Sequence, residues 1–477
     1  MRRYTGLTLI IVIAAALRFA LLGHNSLWDD EAFVAHAIQK GWHDLIVFLA
    51  AHDNHPPLYF ALIKAWTGIA GTGEAALRAP SAMFGVVSVP LTYAIMRRLS
   101  GDRAARIAAL FVAVSPFEVM AGQNARMYTL LEMLTLASTL LLILPTRRLW
   151  HSTAYVGTAA AMMYTHYLGF VVLAAHGIWT AWRDRRRLME WAIGAGVAGI
   201  LFIPWMPYFF DQVVKRHVWG WIHPLLDVGG LFAFGGSLFG LGGYILWGTR
   251  LSLVQVVAVL PFVSLAALGA RGMGLPTLIL VLPIGAMAAV SLIFPAFYPR
   301  WFSFVFPFYA MLLTSGVLRI APRRAVAAVL VAAVIACNVP VLDRYYLDPS
   351  FRPWNWRGAA TYVRGHFQPH DLLIFIGDNA MLPFTYYFSG DVSLTVTPME
   401  ATGRSANFFS YRVREIAAQH PRLWVMSTVV WQPQLTQRLI PMLLTSYHMV
   451  RAERFSGADV YLFEVSPAAG ARQEAMP

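Results

Sequence analysis

The sequence predicts a polytopic, mainly α-helical membrane protein that carries a smaller α/β domain at its C-terminal end. Three observations carry that prediction. Hydrophobic residues make up 58% of the 477-residue chain and charged residues only 13%, with mean hydropathy +0.56; a soluble domain carries about a quarter charged residues. Apolar runs of roughly the 20 residues needed to cross a bilayer recur up to residue 342. After Asp343 the pattern turns to short apolar runs alternating with helix-like polar stretches.

The first element is residues 5 to 23, with Arg2 and Arg3 ahead of it. No small-x-small cleavage pattern and soluble stretch follow, so it reads as an uncleaved first span with a cytoplasmic N-terminus. Further spans are expected at 78 to 96, 104 to 121, 126 to 144, 151 to 165, 168 to 182 and 189 to 209. The last four fall at 252 to 270, 275 to 295, 301 to 319 and 324 to 342, about eleven spans in all. The glycine-rich run 229 to 247 would invert every later side if it crossed. We therefore read it as interfacial or membrane-dipping, which puts the C-terminus outside.

Net charge is +13, and apart from Lys40, Lys64 and Lys215 every basic residue is Arg. The arginines gather at the ends of apolar runs, as at Arg97, Arg98, Arg103 and Arg106, at Arg147 and Arg148, at Arg183 to Arg187, at Arg271, and at Arg319, Arg323 and Arg324. That distribution fits the positive-inside rule and contact with anionic membrane lipids, and does not form the single basic face that nucleic acid requires. With these clusters in the cytoplasm, residues 24 to 59, 115 to 126 and 165 to 167 lie outside. Cys337, the only cysteine, offers no disulfide framework and no cysteine metal site.

Two domains follow: a membrane domain over 1 to 342 with its long first external loop at 24 to 59, and an extracytoplasmic α/β domain over 343 to 477. In the latter, strands are expected at DLLIFI, VSLTV, RLWVM and VYLFEV, and helices at ANFFSYRVREIAAQH and QLTQRLIPMLLTS. No glycine-rich phosphate fingerprint sits at a strand-to-helix turn.

Four clusters carry chemistry. Asp29, Asp30 and Glu31 stand together in an oily chain. They serve either as a proton-accepting site or, more plainly, as an Asp29 cap and dipole partners for a following helix. In Asp53-Asn54-His55-Pro56-Pro57-Leu58-Tyr59 the prolines restrict the backbone and hold His55 where it can bond a phosphate. Gln123-Asn124-Ala125-Arg126-Met127-Tyr128 and Tyr298-Pro299-Arg300-Trp301 each put an arginine at an outward span end, against the positive-inside bias. Such arginines suit a phosphorylated lipid. His166, between Tyr164 and Tyr167, lines the same side or anchors the interface.

LWDDEAF, HPPLYFALIKAW, GQNARMYTLL, YTHYLGF and YPRWF, in this order, resemble the glycosyltransferase 39, protein O-mannosyltransferase-like group of GT-C enzymes. The stretch from NWRGAATYV resembles the external α/β domain of many bacterial members. The resemblance implies a GT-C helical fold in the bacterial cytoplasmic membrane and transfer of a sugar from a polyprenyl-phosphate donor. The acceptor would be an external hydroxyl on protein, lipid or glycan. Asp30 and Glu31 match the family's Asp-Glu pair, with Asp30 the expected general base and Asp29 beside it. Arg126 and Arg300 match its arginines, and His55 stands where an aminoarabinose-transferring branch has Lys. These three are expected on the donor phosphate, with Asn124, Tyr128, Tyr59, His166 and Tyr298 lining the substrate cavity. Asn124 departs from relatives that have Glu there and cannot act as a base.

The expected reaction is direct displacement with inversion, Asp30 taking the acceptor proton. No cofactor is required on this reading; a divalent metal held by His52, Asp53, His55 and His166 was weighed, but the histidines lack HExxH spacing. Alternatives are a lipid-linked sugar translocase or other transporter, disfavoured by the absence of a duplicated half, and a lipid A-modifying aminoarabinose transferase.

Overall fold

The computed structural model describes residues 2–145, 148–215, 253–292, 299–348, 354–376, 378–388, 394–396, 420–428, 433–445 and 447–465. The chain divides into two compact units, one of residues 1–22 with 40–347 and one of residues 23–39 with 348–477. The short segment 23–39, which carries the acidic triplet, thus groups with the C-terminal residues.

The first unit is helical. Its first helix, α1, runs Arg2–Phe19, and α3 (Trp42–His52) and α4 (Leu58–Ala70) follow after the segment that belongs to the other unit. Then come α5 (Glu74–Val114), α6 (Pro116–Gly122), α7 (Tyr128–Ile143), α8 (Leu149–Thr165), α9 (Leu168–Arg183) and α10 (Arg185–Phe202). Later helices span Leu253–Ala270, Gly274–Ser291, Phe306–Ile320 and Arg324–Leu347.

Among the described residues, five helical stretches are long and apolar enough to cross a membrane. They are Glu74–Val114, Arg185–Val213, Gly274–Ser291, Arg300–Ile320 and Arg324–Leu347. Thr5–Phe19, Tyr128–Ile143 and Leu260–Ala270 are shorter apolar helices. The run 229 to 247 and Tyr298 lie outside the described residues.

One boundary differs from expectation. The arginine-rich stretch between the spans expected at 78 to 96 and 104 to 121 is itself helical, because Arg is a good helix former and Asp102 pairs with Arg106 one turn on at 2.6 Å. Only Gly101, at φ 84°, leaves the helical region and kinks α5. The helix stops at Ser115, and Pro116 restarts the chain as α6, with Ser115 Oγ accepting from the Glu118 N–H at 3.5 Å.

Phe306–Ile320 is buried on nearly every side, the mark of a helix apolar all round. It crosses Leu253–Ala270 backbone to backbone. A Cβ on Gly269 would collide with the Leu312 carbonyl, and one on Gly316 with the Leu265 carbonyl. Small residues at such a crossing are the usual means of close helix approach in membranes.

The second unit is a five-stranded mixed sheet in the order β2-β1-β3-β5-β4. The strands are β1 (Leu372–Ile376), β2 (Leu394–Val396), β3 (Arg422–Ser427), β4 (Tyr447–Phe455) and β5 (Ala458–Val465). β1 lies parallel between β2 and β3; β3, β5 and β4 run antiparallel. Leu372, Ile374, Ile376, Leu423, Val425 and Phe463 pack with Leu439 and Leu443 of the helix Pro433–Leu443. On the opposite face Phe375 meets Phe384 at 5.3 Å and Trp424 meets Tyr362 at 6.2 Å, so helices Trp356–His366 and Asp378–Tyr387 cover it.

Candidate active site

Two of the residues expected on the donor phosphate, His55 and Arg126, meet in the first unit around the carboxylate of Asp53. Asp53 ends α3, and its Oδ1 collects three donors. They are the backbone N–H of Asn54 at 2.6 Å, the N–H of His55 at 3.1 Å and the His55 Nδ1 at 2.6 Å. This is an Asx turn that closes with the imidazole added. Its Oδ2 lies 3.9 Å from Arg126 Nη1. Burial by itself would raise the Asp53 carboxyl, but the charge and hydrogen bond of His55, the Arg126 guanidinium and the Asn54 N–H outweigh it and hold the group below its ordinary range.

The proton positions follow from the partners. His55 Nδ1 is 2.6 Å from a carboxylate and 3.3 Å from Arg126 Nη2. The shorter, charge-assisted contact prevails, so Nδ1 donates to Asp53 and the guanidinium packs alongside. Nε2 of His55 is left for another partner. His166, at the break between α8 and α9, has the opposite assignment: its Nδ1 accepts from the Leu168 N–H at 3.1 Å, so its proton sits on Nε2. That nitrogen is buried and has no hydrogen-bond partner among the described residues. Burial first, then the His55 and Arg126 charges, push His166 well below the ordinary imidazole range, with Asp53 opposing, so its ring is neutral.

The His55 and His166 rings stand 5.1 Å apart, and Trp301 lies 6.5 Å from the first and 6.0 Å from the second. Trp301 belongs to the 3-10 turn Pro299–Val305 that also carries Arg300, which is buried. Arg126, 3.9 Å from Asp53, and Arg300, buried on the turn that carries Trp301, are cations suited to an anion.

The remaining expected residues sort differently. Tyr59 is sealed in the core, its hydroxyl 2.9 Å from Ser81 Oγ, which in turn donates to the Arg126 carbonyl at 3.1 Å. It buttresses the loop that presents Arg126. Tyr128 is buried in the first turn of α7, and Asn124 is half-buried in the preceding loop, its carbonyl accepting from the Arg126 N–H at 2.7 Å. Pro57 takes helical torsions (φ −82°, ψ −10°) as the N-cap of α4. His55 and Pro56, which each precede a proline, are the positions disfavoured in that region.

In the second unit, Asp29, Asp30 and Glu31 form the first turn of α2 (Asp29–Ala37). Trp28 is the N-cap and no side chain caps the helix. Asp29 is therefore not the cap that the plainer reading expected; it is already helical, and all three acids face the positive end of the helix. Asp29 and Asp30 are half-buried and Glu31 is buried. The segment is held from within its own unit. The Leu27 N–H donates to Tyr387 Oη at 2.7 Å, the Arg357 N–H to Ser26 Oγ at 3.1 Å, and the Arg357 guanidinium to the carbonyls of His24 and Gly23 at 3.2 and 3.1 Å.

Residues 54–230 match the family model described as dolichyl-phosphate-mannose-protein mannosyltransferase, a stretch that includes His55, Arg126 and His166. None of the curated proteins matches by sequence. Among solved structures, ArnT from Cupriavidus metallidurans bound to undecaprenyl phosphate is similar with TM-score 0.61 at 14% identity, covering 95% of this chain and 97% of its own. The oligosaccharyltransferase AglB from Archaeoglobus fulgidus, in complex with an inhibitory peptide and a dolichol-phosphate, gives TM-score 0.54 at 14% identity over 100% of this chain and 75% of its own. Arabinofuranosyltransferase AftD from Mycobacteria gives 0.50 at 13% identity, over 98% and 42%. The fold is thus that of the GT-C membrane glycosyltransferases, multi-pass and helical with a C-terminal α/β region.

Proposed function

We propose that the protein transfers a sugar from a polyprenyl-phosphate-linked donor to an acceptor hydroxyl on the outer side of the bacterial cytoplasmic membrane. The N-terminus then lies in the cytoplasm and the C-terminal domain outside. The observation that carries the reading is the buried Asp53–His55–Arg126 set, of which His55 and Arg126 fall within the stretch 54–230 that matches the mannosyltransferase family model. The likeness of the fold to ArnT with bound undecaprenyl phosphate supports it.

In the reaction, the acceptor oxygen attacks the anomeric carbon and the bond from that carbon to the phosphate oxygen breaks, inverting the centre. The acceptor proton passes to Asp30. The leaving polyprenyl phosphate keeps the electron pair, and Arg126 and Arg300 meet its growing charge. Fixed donors aimed at developing charge are usually the largest single catalytic effect. Phosphate leaves without an acid, so one carboxylate suffices, unlike glycoside hydrolysis. Asp53 holds His55 and Arg126 in place and neutralises part of their charge, which keeps the site from binding phosphate so tightly that product is retained.

With radiolabelled polyprenyl-phosphate sugar in proteoliposomes, the wild type releases free lipid phosphate and labels an acceptor. Asp30→Asn abolishes transfer while leaving insertion intact, and Arg126→Ala raises the donor KM by about tenfold or more, the loss expected for a charge-assisted contact. Label that crosses the membrane still attached to its lipid makes the protein a translocase and overturns the reading.

A further inference from the structure

Among the described residues, the arginine and carboxylate side chains outside the site that are completely shut away from solvent are Arg18, Glu118 and Glu132, each with 0% exposure. Ionisable residues inside a membrane protein are costly and are kept where they do something. Arg18 lies in the last turn of α1, and its guanidinium donates to the carbonyls of Val112 and Ala113 at 3.0 Å each and of Ala14 at 3.4 Å. It thereby serves the otherwise unpaired carbonyls at the end of α5. Its stem threads between two glycines. A Cβ on Gly85 would stand 2.8 Å from Arg18 Nε, and one on Gly122 would stand 3.2 Å from its Cγ. Glu118 on α6 and Glu132 on α7 lie within electrostatic reach of each other and of Arg18, and all four of their carboxyl oxygens are buried with no hydrogen-bond partner among the described residues.

These contacts surround the segment that delivers Arg126. Past α6, the Gln123 side-chain amide donates to the carbonyls of Leu17 and Arg18 at 3.2 Å and of Ala20 at 2.7 Å, and its Oε1 accepts from the Tyr345 hydroxyl at 2.9 Å. Arg126 follows three residues later, where its carbonyl takes the Ser81 hydroxyl. The 115–126 segment is therefore tied at Gln123 to the end of α1, with the buried Glu118 carboxyl one helix turn before it. The charge count is decisive. Two carboxylates within electrostatic reach of each other in a water-free interior cannot both ionise, and one guanidinium balances only one of them.

We propose that Arg18, Glu118 and Glu132 are positioning residues: a charge-neutral clamp, with one proton held between the two carboxyls, that sets the 115–126 segment and through it the Arg126 guanidinium. The clamp rests on the donor-phosphate reading only for its effect on activity; its protonation can be read without substrate.

Because the pair holds one proton, either glutamate can be replaced by the isosteric neutral amide while the other ionises against Arg18. Replacing both leaves Arg18 uncompensated. Glu118→Gln and Glu132→Gln each keep the donor KM within about twofold of wild type, whereas the double variant raises it by about tenfold beyond the product of the two, with kcat at saturating donor little changed. Infrared difference spectra of the purified full-length protein at neutral pH show a protonated-carboxyl carbonyl band in the wild type that is missing from each single variant.

The spectra settle the matter even where the double variant fails to accumulate. A band that persists at wild-type strength in either single variant overturns the clamp, as does a double variant no worse than its parts. Should Arg126→Ala leave the donor KM unaltered, the donor-phosphate reading fails by itself. The band and the non-additive loss of thermal stability in the double variant still test the clamp.

Discussion

His166 illustrates how one residue's neighbours set its chemistry. Buried, and beside the positive charges of His55 and Arg126, it stays neutral where a free imidazole would take a proton. Its folded value lies below its unfolded one, about 6.5, so the native state binds fewer protons than the unfolded chain and stability rises with pH across the interval. The contribution is complete above about pH 6.5 and is lost as pH falls towards the depressed folded value. Thermal unfolding of the detergent-solubilised protein should lose midpoint steadily as pH drops below that point, and His166→Asn should flatten the slope. An unchanged slope in the variant would locate the proton elsewhere. Asp53 acts in the same direction at lower pH, since its folded value is also depressed. The Asp-x-His spacing directly after a helix end was a legible sign of its Asx turn, but nothing in the sequence joined it to Arg126, 73 positions away.

Among the elements, the crossing of Leu253–Ala270 with Phe306–Ile320 is the least tolerant of change. Each glycine there faces a backbone carbonyl, which cannot swing aside as a flexible side chain would. Gly316→Val should therefore destabilise the solubilised protein by about 1–3 kcal/mol or more, as overpacked cores do. Gly196→Ala in α10, with open space around its Cβ, should be neutral or gain about 0.5–1 kcal/mol, the helix-propensity difference between the two residues. Paired thermal melts decide the point, and equal effects of the two substitutions would contradict the crossing. Neither glycine stands out in the sequence, because a glycine at a contact and a glycine facing lipid occupy the same apolar context. β4 was overlooked for a related reason. It is an edge strand exposed along most of its length, so SYHMVRAERF shows no apolar alternation, and only the Ser456-Gly457 turn, with Gly457 at φ 70°, marks the hairpin.

At the scale of the whole molecule, the C-terminal unit does more than follow the membrane region. It holds residues 23–39, and with them the acidic first turn of α2, through Arg357, Ser26 and Tyr387. Arg357→Ala should free the carbonyls of Gly23 and His24 and make the 23–28 segment more sensitive to protease. If Asp30 is the base, transfer falls several-fold while the donor KM stays as it was. Limited proteolysis and steady-state kinetics read the two consequences separately.

The sequence by itself determined the helical membrane class, the helices that follow its long apolar runs and four of the five strands, but not α3 within the first external loop nor the helices Trp356–His366 and Asp378–Tyr387. It could do so because hydrophobic period, arginine placement and proline or glycine punctuation are local signals. Tertiary structure alone decided that Asp53 is the partner of His55 and Arg126, that Tyr59 supports the site from the core, that residues 23–39 pack with the C-terminal unit, and that Arg18, Glu118 and Glu132 meet. Each of these depends on residues far apart in the chain being brought into one low-dielectric place, where an unbalanced charge or unpaired polar atom is costly. That cost selects partners by position in space, and no local pattern in the chain records it.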